Sequence, residues 1–287
     1  MSFLFQYHPR NFRDFHYVYP VVSRRAGGLS LGVNLSQSGQ CNFACVYCQV
    51  IAEEGQKRLD KKSDFIDFDC FESELRQLIN MINDGSFFQD EWFSHLPVEK
   101  RVLRDIAFSG DGEPTLSPFF PDAVRSVAAI RKQLCNDTTK IVLITNGTML
   151  HSTSVQETIK IMLENNGEIW AKLDAGTPEY FRKIARSNIR YEKILSNLTE
   201  LTKNFPIVIQ SCFLSIHGQP PDDAEIIQYS RRLVSLQTDN IIRIQIYTAA
   251  RNTPEKWVLP LDNNQLDRIA QIVRKQTNLQ VDTFYSS

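Results

Sequence analysis

The chain lacks any uninterrupted apolar run approaching eighteen residues, so nothing in it reads as a membrane-spanning helix. Its start, Met1-Ser-Phe-Leu-Phe-Gln-Tyr-His-Pro-Arg10, has no basic leader followed by an apolar core, which removes the usual marks of export. An excess of charge of one sign is also missing. With a net charge of −1 there is no global electrostatic case for nucleic acid or for a membrane surface. Cysteine is scarce, and none of the 6 precedes Cys41. Cys70, Cys135 and Cys212 stand alone and the five histidines are well separated, so no second ligand pair is present to complete a four-ligand zinc site. No internal repeat or low-complexity segment stands out. These absences point to a soluble, cytoplasmic protein in a reducing setting, with no membrane partner.

What is present first bounds the fold. At 287 residues with 42% hydrophobic content there is material for one large core, and α/β barrels commonly occupy such a length as a single domain. Short β-branched or apolar runs predict strands at Ser30–Leu35, Asp105–Phe108, Lys140–Thr145, Ile169–Leu173, Ile207–Leu214 and Ile241–Tyr247. Helical patterns lie between them at about Phe71–Ile82, Pro121–Leu134, Ser154–Asn165, Tyr191–Asn204 and Asp223–Leu236. A last helix, about Asn263–Thr277, has Leu266, Ile269, Ala270 and Val273 on one stripe. Six βα units in series imply parallel strands with right-handed crossovers, and six are too few to close an eight-stranded barrel. The expected fold class is therefore α/β, a partial (β/α)6 TIM-like barrel with a curved parallel sheet and outer helices. Residues 1–28 would form an extension packing on the barrel, 29–250 the core, and 251–287 a helix and tail completing the same domain. Gly85–Arg101 reads as an irregular insertion.

Three cysteines fall within eight residues, Cys41-Asn-Phe-Ala-Cys45-Val-Tyr-Cys48, just after the strand-like Leu31–Leu35. A four-iron cluster takes four thiolate ligands, so three close cysteines without a nearby fourth leave one iron open to a small molecule. Zinc, disulfides and incidental thiols are the alternatives. Zinc needs a fourth ligand, and disulfides at this spacing would close small strained loops. The C-x3-C-x2-C spacing, with an aromatic residue before the last cysteine, resembles the cluster loop of the radical S-adenosylmethionine (SAM) enzymes. That resemblance implies a [4Fe–4S] cluster on Cys41, Cys45 and Cys48. It also implies SAM bound through its amino and carboxylate groups, and reductive cleavage to a 5′-deoxyadenosyl radical. An aromatic at the position of Tyr47 commonly contacts the adenine in similar enzymes; packing is the other role for its ring.

Strand ends are where parallel barrels place their chemistry. The second strand runs into Ser109-Gly-Asp-Gly-Glu-Pro114, where glycines permit close backbone approach and Glu113 can accept from an ammonium group. A plain turn is the alternative. The stretch resembles the superfamily's glycine-glycine-glutamate motif that holds the SAM amino group, which implicates Gly110, Gly112 and Glu113. Asp111 interrupts the usual glycine pair. The third strand ends Ile144-Thr-Asn-Gly147, where Asn146 either turns its amide toward a ligand or serves the turn alone.

Side chains alternate across a strand, so Lys172 and Asp174 share a face, as do Gln210 and Cys212, and as do Arg243, Gln245 and Tyr247. The opposite faces, Ala171 and Leu173, Ile209 and Ser211, and Ile242, Ile244 and Ile246, should pack on outer helices. Polar groups on an inner face argue for a ligand cavity. Alternatively, Lys172 pairs with Asp174 and Arg243 meets a carboxylate. By position, Asp174 or Lys172 matches a fourth-strand polar residue that touches the ribose or carboxylate of SAM in the superfamily. Two residues are catalytic candidates: Lys172, as a Schiff-base amine if burial lowered its pKa, and Cys212, as a hydrogen-atom donor. For Cys212 the plainer role is that of a small buried residue.

The first thirty residues mix aromatic and basic groups, from Tyr7-His-Pro-Arg to Arg24-Arg25. They could stack bases, but without a basic balance a structural role is the preferred reading. Taken together, Ser30–Asn34, Phe108–Leu116, Ile144–Gly147 and Lys172–Gly176 resemble the radical SAM branch that contains the tRNA wyosine-base synthases. Those synthases carry further cysteines upstream of the cluster loop. This chain has none, so the tRNA reaction does not follow from the resemblance. The implied partners are a flavodoxin- or ferredoxin-like reductant and a substrate that is either a polar metabolite or RNA. Two rivals remain: a non-catalytic iron–sulfur electron carrier and a zinc-stabilised RNA-binding protein.

Overall fold

A computed structural model describes residues 12–50, 65–236 and 238–286. The first part of the aromatic and basic segment, Tyr7 to Asn11, lies outside the described residues. The chain divides into two compact units. One comprises Met1–Gln40, Lys61–Ile144 and Thr153–Glu168, the other Cys41–Asp60, Thr145–Ser152 and Ile169–Ser287.

The first unit holds β1 (Val18–Ser23), β2 (Gly28–Val33), α1 (Phe68–Asp84), β3 (Leu103–Phe108), α2 (Phe120–Leu134), most of β4 (Lys140–Thr145) and α3 (Thr153–Glu164). β2, β3 and β4 run parallel, and β1 pairs antiparallel with β2. β2 is buried at all six positions, so it reads as a continuous run rather than an alternating one. α1 starts where the Asp67 side chain accepts from the Cys70 amide, and it buries the stripe Phe71, Leu75, Leu78, Ile79 and Ile82. From that stripe Glu74, itself buried, accepts from the amides of His16 (2.7 Å), Tyr17 (2.8 Å) and Val18 (3.2 Å). One carboxylate thereby satisfies three donors as the chain enters β1. Phe12, Phe15, Tyr17 and Tyr19 are buried, with Phe12 against Phe87 and Phe93 of the 85–101 segment. These rings are packing elements, not platforms for bases.

The second unit holds most of β5 (Gly167–Lys172), α4 (Pro178–Ala185), α5 (Tyr191–Asn204), β6 (Ile207–Cys212), β7 (Leu214–Ile216), α6 (Asp223–Val234), β8 (Ile241–Tyr247), β9 (Val258–Pro260), α7 (Asn263–Thr277) and β10 (Val281–Phe284). β5, β6, β8 and β10 run parallel in that order, while β7 and β9 form a separate antiparallel ribbon. α7 opens with a capping box between Asp262 and Gln265, and its predicted stripe of Leu266, Ile269, Ala270 and Val273 is buried.

Three features depart from the sequence expectation. β1 and β10 add to the six predicted parallel strands; Pro20 within β1 suits an edge strand, since it has no amide to donate. The run Ile207–Leu214 is divided between β6 and β7. In β8 the register with β6 shifts so that Ile241 pairs with Ile207 and Arg243 with Val208. Ile242 is the extra residue of that bulge and is 42% exposed instead of packing on an outer helix. Among the described residues no helix is long and apolar enough to cross a membrane.

Candidate metal and cofactor site

The cysteine loop, Cys41 to Cys48, lies in the second unit and is tied at many points to that unit's other elements. α4 ends with backbone carbonyls that have no helical partner, and the loop supplies donors for them. Ala44 N donates to Ala185 O and Val46 N to Ile184 O, both at 2.9 Å. Arg186, in the left-handed conformation just after the helix, donates to Ala44 O (3.0 Å) and pairs with Glu255 (2.7 Å). Ser187 donates to Asn42 O (2.8 Å), and Gln49 reaches Asn252 O (3.0 Å). Val46 is fully buried in an apolar cluster with Ile184, Cys212, Leu214, Ile216 and Val258, against which Tyr47, Tyr180, Tyr247 and Trp257 also pack.

Asn146 serves this loop. Its amide donates to Asn42 Oδ1 (2.7 Å) and lies 3.8 Å from Cys41 Sγ, while its carbonyl accepts from the Thr148 amide (3.0 Å) and hydroxyl (2.8 Å). Cys41 Sγ also accepts from the Phe43 amide at 3.4 Å. All three thiols are partly buried. Burial pushes the Cys45 thiol up, and Asp174, Cys48 and Cys41 add to that push while Lys172 opposes it. Three thiolates here would repel one another unless a positive centre lay among them. The donor set is one of soft sulfur ligands, with N–H groups already aimed at one of them, and it fits an iron–sulfur cluster. Among the described residues no three His, Cys, Asp or Glu side chains are grouped to hold a single metal ion.

Asp174, just past β5, is the hub of the unit. One carboxylate oxygen accepts from Tyr47 OH (2.5 Å); the other accepts from the Cys212 amide (2.7 Å) and the Lys172 ammonium (3.0 Å). Lys172 also donates to Tyr247 OH (2.5 Å), with its charge 5.2 Å from the Tyr47 ring centroid and 4.6 Å from that of Tyr247. Burial is the largest single effect on Lys172 and would lower its pKa, but Asp174, Tyr247 and Cys212 together exceed it, and the pKa stands above the ordinary value. Lys172 is held as an ammonium, which is the wrong state for a Schiff-base amine. Cys212 is buried in the apolar cluster. Tyr47 is pushed up by burial first and then by Asp174 and Cys45, so its hydroxyl stays protonated and donates.

The inner polar face forms a row in register: Lys172 on β5, Gln210 on β6, Gln245 on β8 and Asp282 on β10. Gln210 donates to Gln245 Oε1 (2.8 Å), and its own Oε1 is buried without a partner. Arg243 reaches Asp282 at 3.6 Å. The pairings of the structural alternative, Lys172 with Asp174 and Arg243 with a carboxylate, are thus both present.

The glycine-rich turn belongs to the first unit. Gly110 has φ +124, and a Cβ at Gly112 would lie 2.3 Å from Gln40 O, so neither position takes a larger residue without displacement. Glu113 N donates to Gln40 O (2.9 Å). Asn34 donates to Asp111 Oδ2 (2.8 Å), which gives the residue that interrupts the glycine pair a structural task. Glu113 is buried, and its carboxylate accepts from the Thr115 hydroxyl at 2.5 Å. The turn therefore braces Asn34–Gln40, the stretch leading into Cys41.

Sequence reasoning missed α4 and its loop contacts, together with Asn42, Thr148, Arg186 and Asn252. Thr177 followed by Pro178, an N-cap and a first-turn proline, was the available signal for α4.

The sequence model described as "Radical SAM superfamily" matches residues 35–233. A protein named GTPase Obg from Brachyspira hyodysenteriae is 23% identical over 265 residues; the match covers 92% of this chain but 34% of that protein. Among solved structures, a radical SAM methyltransferase from Sphaerobacter thermophilus superposes with a TM-score of 0.61 at 11% identity, covering 93% of this chain and 69% of that one. An archaeal TYW1 gives a TM-score of 0.52 at 12% identity, covering 92% and 85% respectively. At such identities the likeness is one of fold: a partial α/β barrel of mostly parallel strands with outer helices, as the alternation of elements predicted.

Proposed function

The chain belongs to the radical SAM superfamily, and on that premise we propose that Cys41, Cys45 and Cys48 hold a [4Fe–4S] cluster in a radical SAM enzyme. The observation that carries this reading is the C-x3-C-x2-C loop itself, fastened to α4, to the Asn146 turn and to Asp174. When bound, such a cluster would supply the electron for reductive cleavage of SAM, and with it the capacity for hydrogen abstraction from a substrate. The chain's own residues bind and orient. Gly110 and Gly112 would let the backbone approach the methionyl part of SAM, Glu113 would offer a carboxylate to its ammonium group, and Tyr47 would contact the adenine. Asn146 and Asp174 have their polar atoms engaged within the protein, so they act on the loop in this reading. A flavodoxin- or ferredoxin-like protein is the reductant. The substrate is polar, a metabolite or RNA.

The name of the Brachyspira relative gives no ground for a GTPase. This sequence contains no Gly-Lys dipeptide, so a G-x4-G-K-[S/T] phosphate loop is impossible in it. The electron-carrier alternative predicts reversible reduction without consumption of SAM.

The test is anaerobic. The protein is reconstituted with iron and sulfide, given SAM and a strong reductant with and without cell extract, and assayed for 5′-deoxyadenosine beside Cys45→Ala. Product that depends on the intact loop supports the enzyme. A loaded cluster that leaves SAM intact in both conditions supports the carrier.

A further inference from the structure

We infer that Asp174 is a positioning residue that clasps the cysteine loop through Tyr47 and sets the charge balance beside its thiols together with Lys172. The inference rests on the iron–sulfur reading for its second half only. The geometry is specific. Tyr47 lies between Cys45 and Cys48 in sequence, and its hydroxyl donates to Asp174 Oδ2 at 2.5 Å. The other oxygen of the same carboxylate is fixed by the Cys212 amide at the end of β6 (2.7 Å) and by Lys172 on β5 (3.0 Å). Asp174 and Lys172 side chains are only 10% and 14% exposed, so solvent screens this pair little. On its other flank the loop is held by backbone bonds from Ala44 and Val46 to α4. The clasp therefore joins the loop to two strand ends, while α4 holds the loop's backbone.

The charge half follows from the same atoms. A carboxylate beside thiolates opposes the addition of an electron among them, and an ammonium favours it. Asp174 Oδ2 holds the hydroxyl of Tyr47, which follows Cys45 by two residues and directly precedes Cys48, and the Lys172 ammonium lies 5.2 Å from the centroid of the same ring, so both charges meet the loop between two of its cysteines. The pair is a means of holding the loop by a negative group while offsetting much of its charge locally.

Two measurements separate the halves. The first uses the apo-protein and follows deuterium exchange at the Ala44, Val46 and Cys212 amides in the parent and in Tyr47→Phe. Loss of a charge-assisted hydrogen bond should speed exchange at Ala44 and Val46 by about tenfold or more. Cys212, still bonded to Asp174, should keep its protection. Rates at Ala44 and Val46 within about twofold of the parent would overturn the clasp.

The second uses iron-loaded protein and reads the midpoint potential of the cluster in Asp174→Asn and Lys172→Met. The expected shifts are opposite in sign, upward for Asp174→Asn and downward for Lys172→Met. Loosened packing alone would not reverse sign between the two, so shifts in one direction, or none, would overturn the charge half. If Asp174→Asn fails to fold around its unpaired lysine, Lys172→Met beside the double variant Lys172→Met/Asp174→Asn gives the same comparison. Because the exchange arm needs no iron, a protein that never binds a cluster still decides the clasp, and that failure falls on the proposed function instead.

Discussion

Asp105→Asn should make the protein more stable at neutral pH and leave it nearly unchanged at pH 4. Asp105 lies within β3, 3% exposed, and its carboxylate accepts from the Ser30 hydroxyl of the neighbouring strand. Burial raises its pKa from 3.8 to about 6, against the opposing effects of the Ser30 hydrogen bond, Arg25 and Lys140, while Glu168 adds to the rise. Lys140 is itself paired with Glu168, so little of its charge is left for Asp105. A folded pKa above the unfolded one means that the folded state binds the proton more tightly. The stabilisation this gives is fully present below about pH 4, is lost as pH rises through about 6, and is gone above about 7. A tenfold change in proton affinity is worth about 1.36 kcal/mol, so a roughly hundredfold tighter proton in the folded state amounts to about 3 kcal/mol. Asparagine is neutral throughout and can still accept from Ser30. The variant's advantage should therefore grow by about 3 kcal/mol between pH 4 and pH 7.5. Urea unfolding of the apo-protein, followed by tryptophan fluorescence at a series of pH values, reads that difference. All other titrating groups are common to the two proteins and cancel. A difference that stays flat with pH, or a variant less stable than the parent at pH 7.5, would refute the reasoning.

Gly112→Ala should lower stability by about 1–3 kcal/mol in the same assay, because its Cβ would stand 2.3 Å from the Gln40 carbonyl oxygen and 2.8 Å from Ser36 Cβ. Glu113→Ala should weaken SAM binding to the iron-loaded protein, measured by equilibrium dialysis, with iron per chain unchanged; equal SAM affinity would remove Glu113 from the site. Gln210→Leu alone should cost about 1–3 kcal/mol, since it strips the Gln245 carbonyl of its donor. Gln210→Leu/Gln245→Leu should recover most of that loss, because it also removes the Gln245 carbonyl that the single variant leaves without a donor; a double variant worse than the sum of its parts would show that the pair is held by something else.

The parts of this protein that could be read from the chain share a physical cause. Cluster ligands are spaced by the ligand they hold, so C-x3-C-x2-C is a chemical statement within eight residues. The turn at Gly110–Glu113 is similarly local, because its φ value and its close approach to Gln40 restrict the residue type where it stands. Alternation along β6 and β8 placed Gln210, Gln245 and Tyr247 on one face, but the same argument put Ile242 on a packed face. A single inserted residue changes the phase of everything before it, and no composition rule marks where a bulge falls. Helix α4 is too short, at 8 residues, for a period to declare itself. β1 carries a proline that reads as a break unless an edge position is assumed.

The fasteners of the loop were illegible for a different reason. Five of them end on backbone carbonyls: Ile184, Ala185 and Asn252, and Asn42 and Ala44 of the loop itself. Every residue has a carbonyl, so such contacts impose no residue type on the acceptor and leave no paired pattern to find. Tyr47 and Asp174 do impose one, yet they are 127 positions apart, and each has a simpler local reading as a packed ring or half of an ion pair with Lys172. The two classes should respond differently to substitution. Side-chain changes at Ile184 or Ala185 that preserve the helix leave the loop's backbone bonds in place, whereas removal of one oxygen at Tyr47 breaks the tie to β5 and β6. Sensitivity of the loop's polar ties is accordingly expected to concentrate at Asn42, Tyr47, Gln49, Asn146, Asp174, Arg186 and Ser187, where a side chain makes the contact, whereas Ile184 acts through its packing in the Val46 cluster and not through the carbonyl that accepts from the loop's backbone.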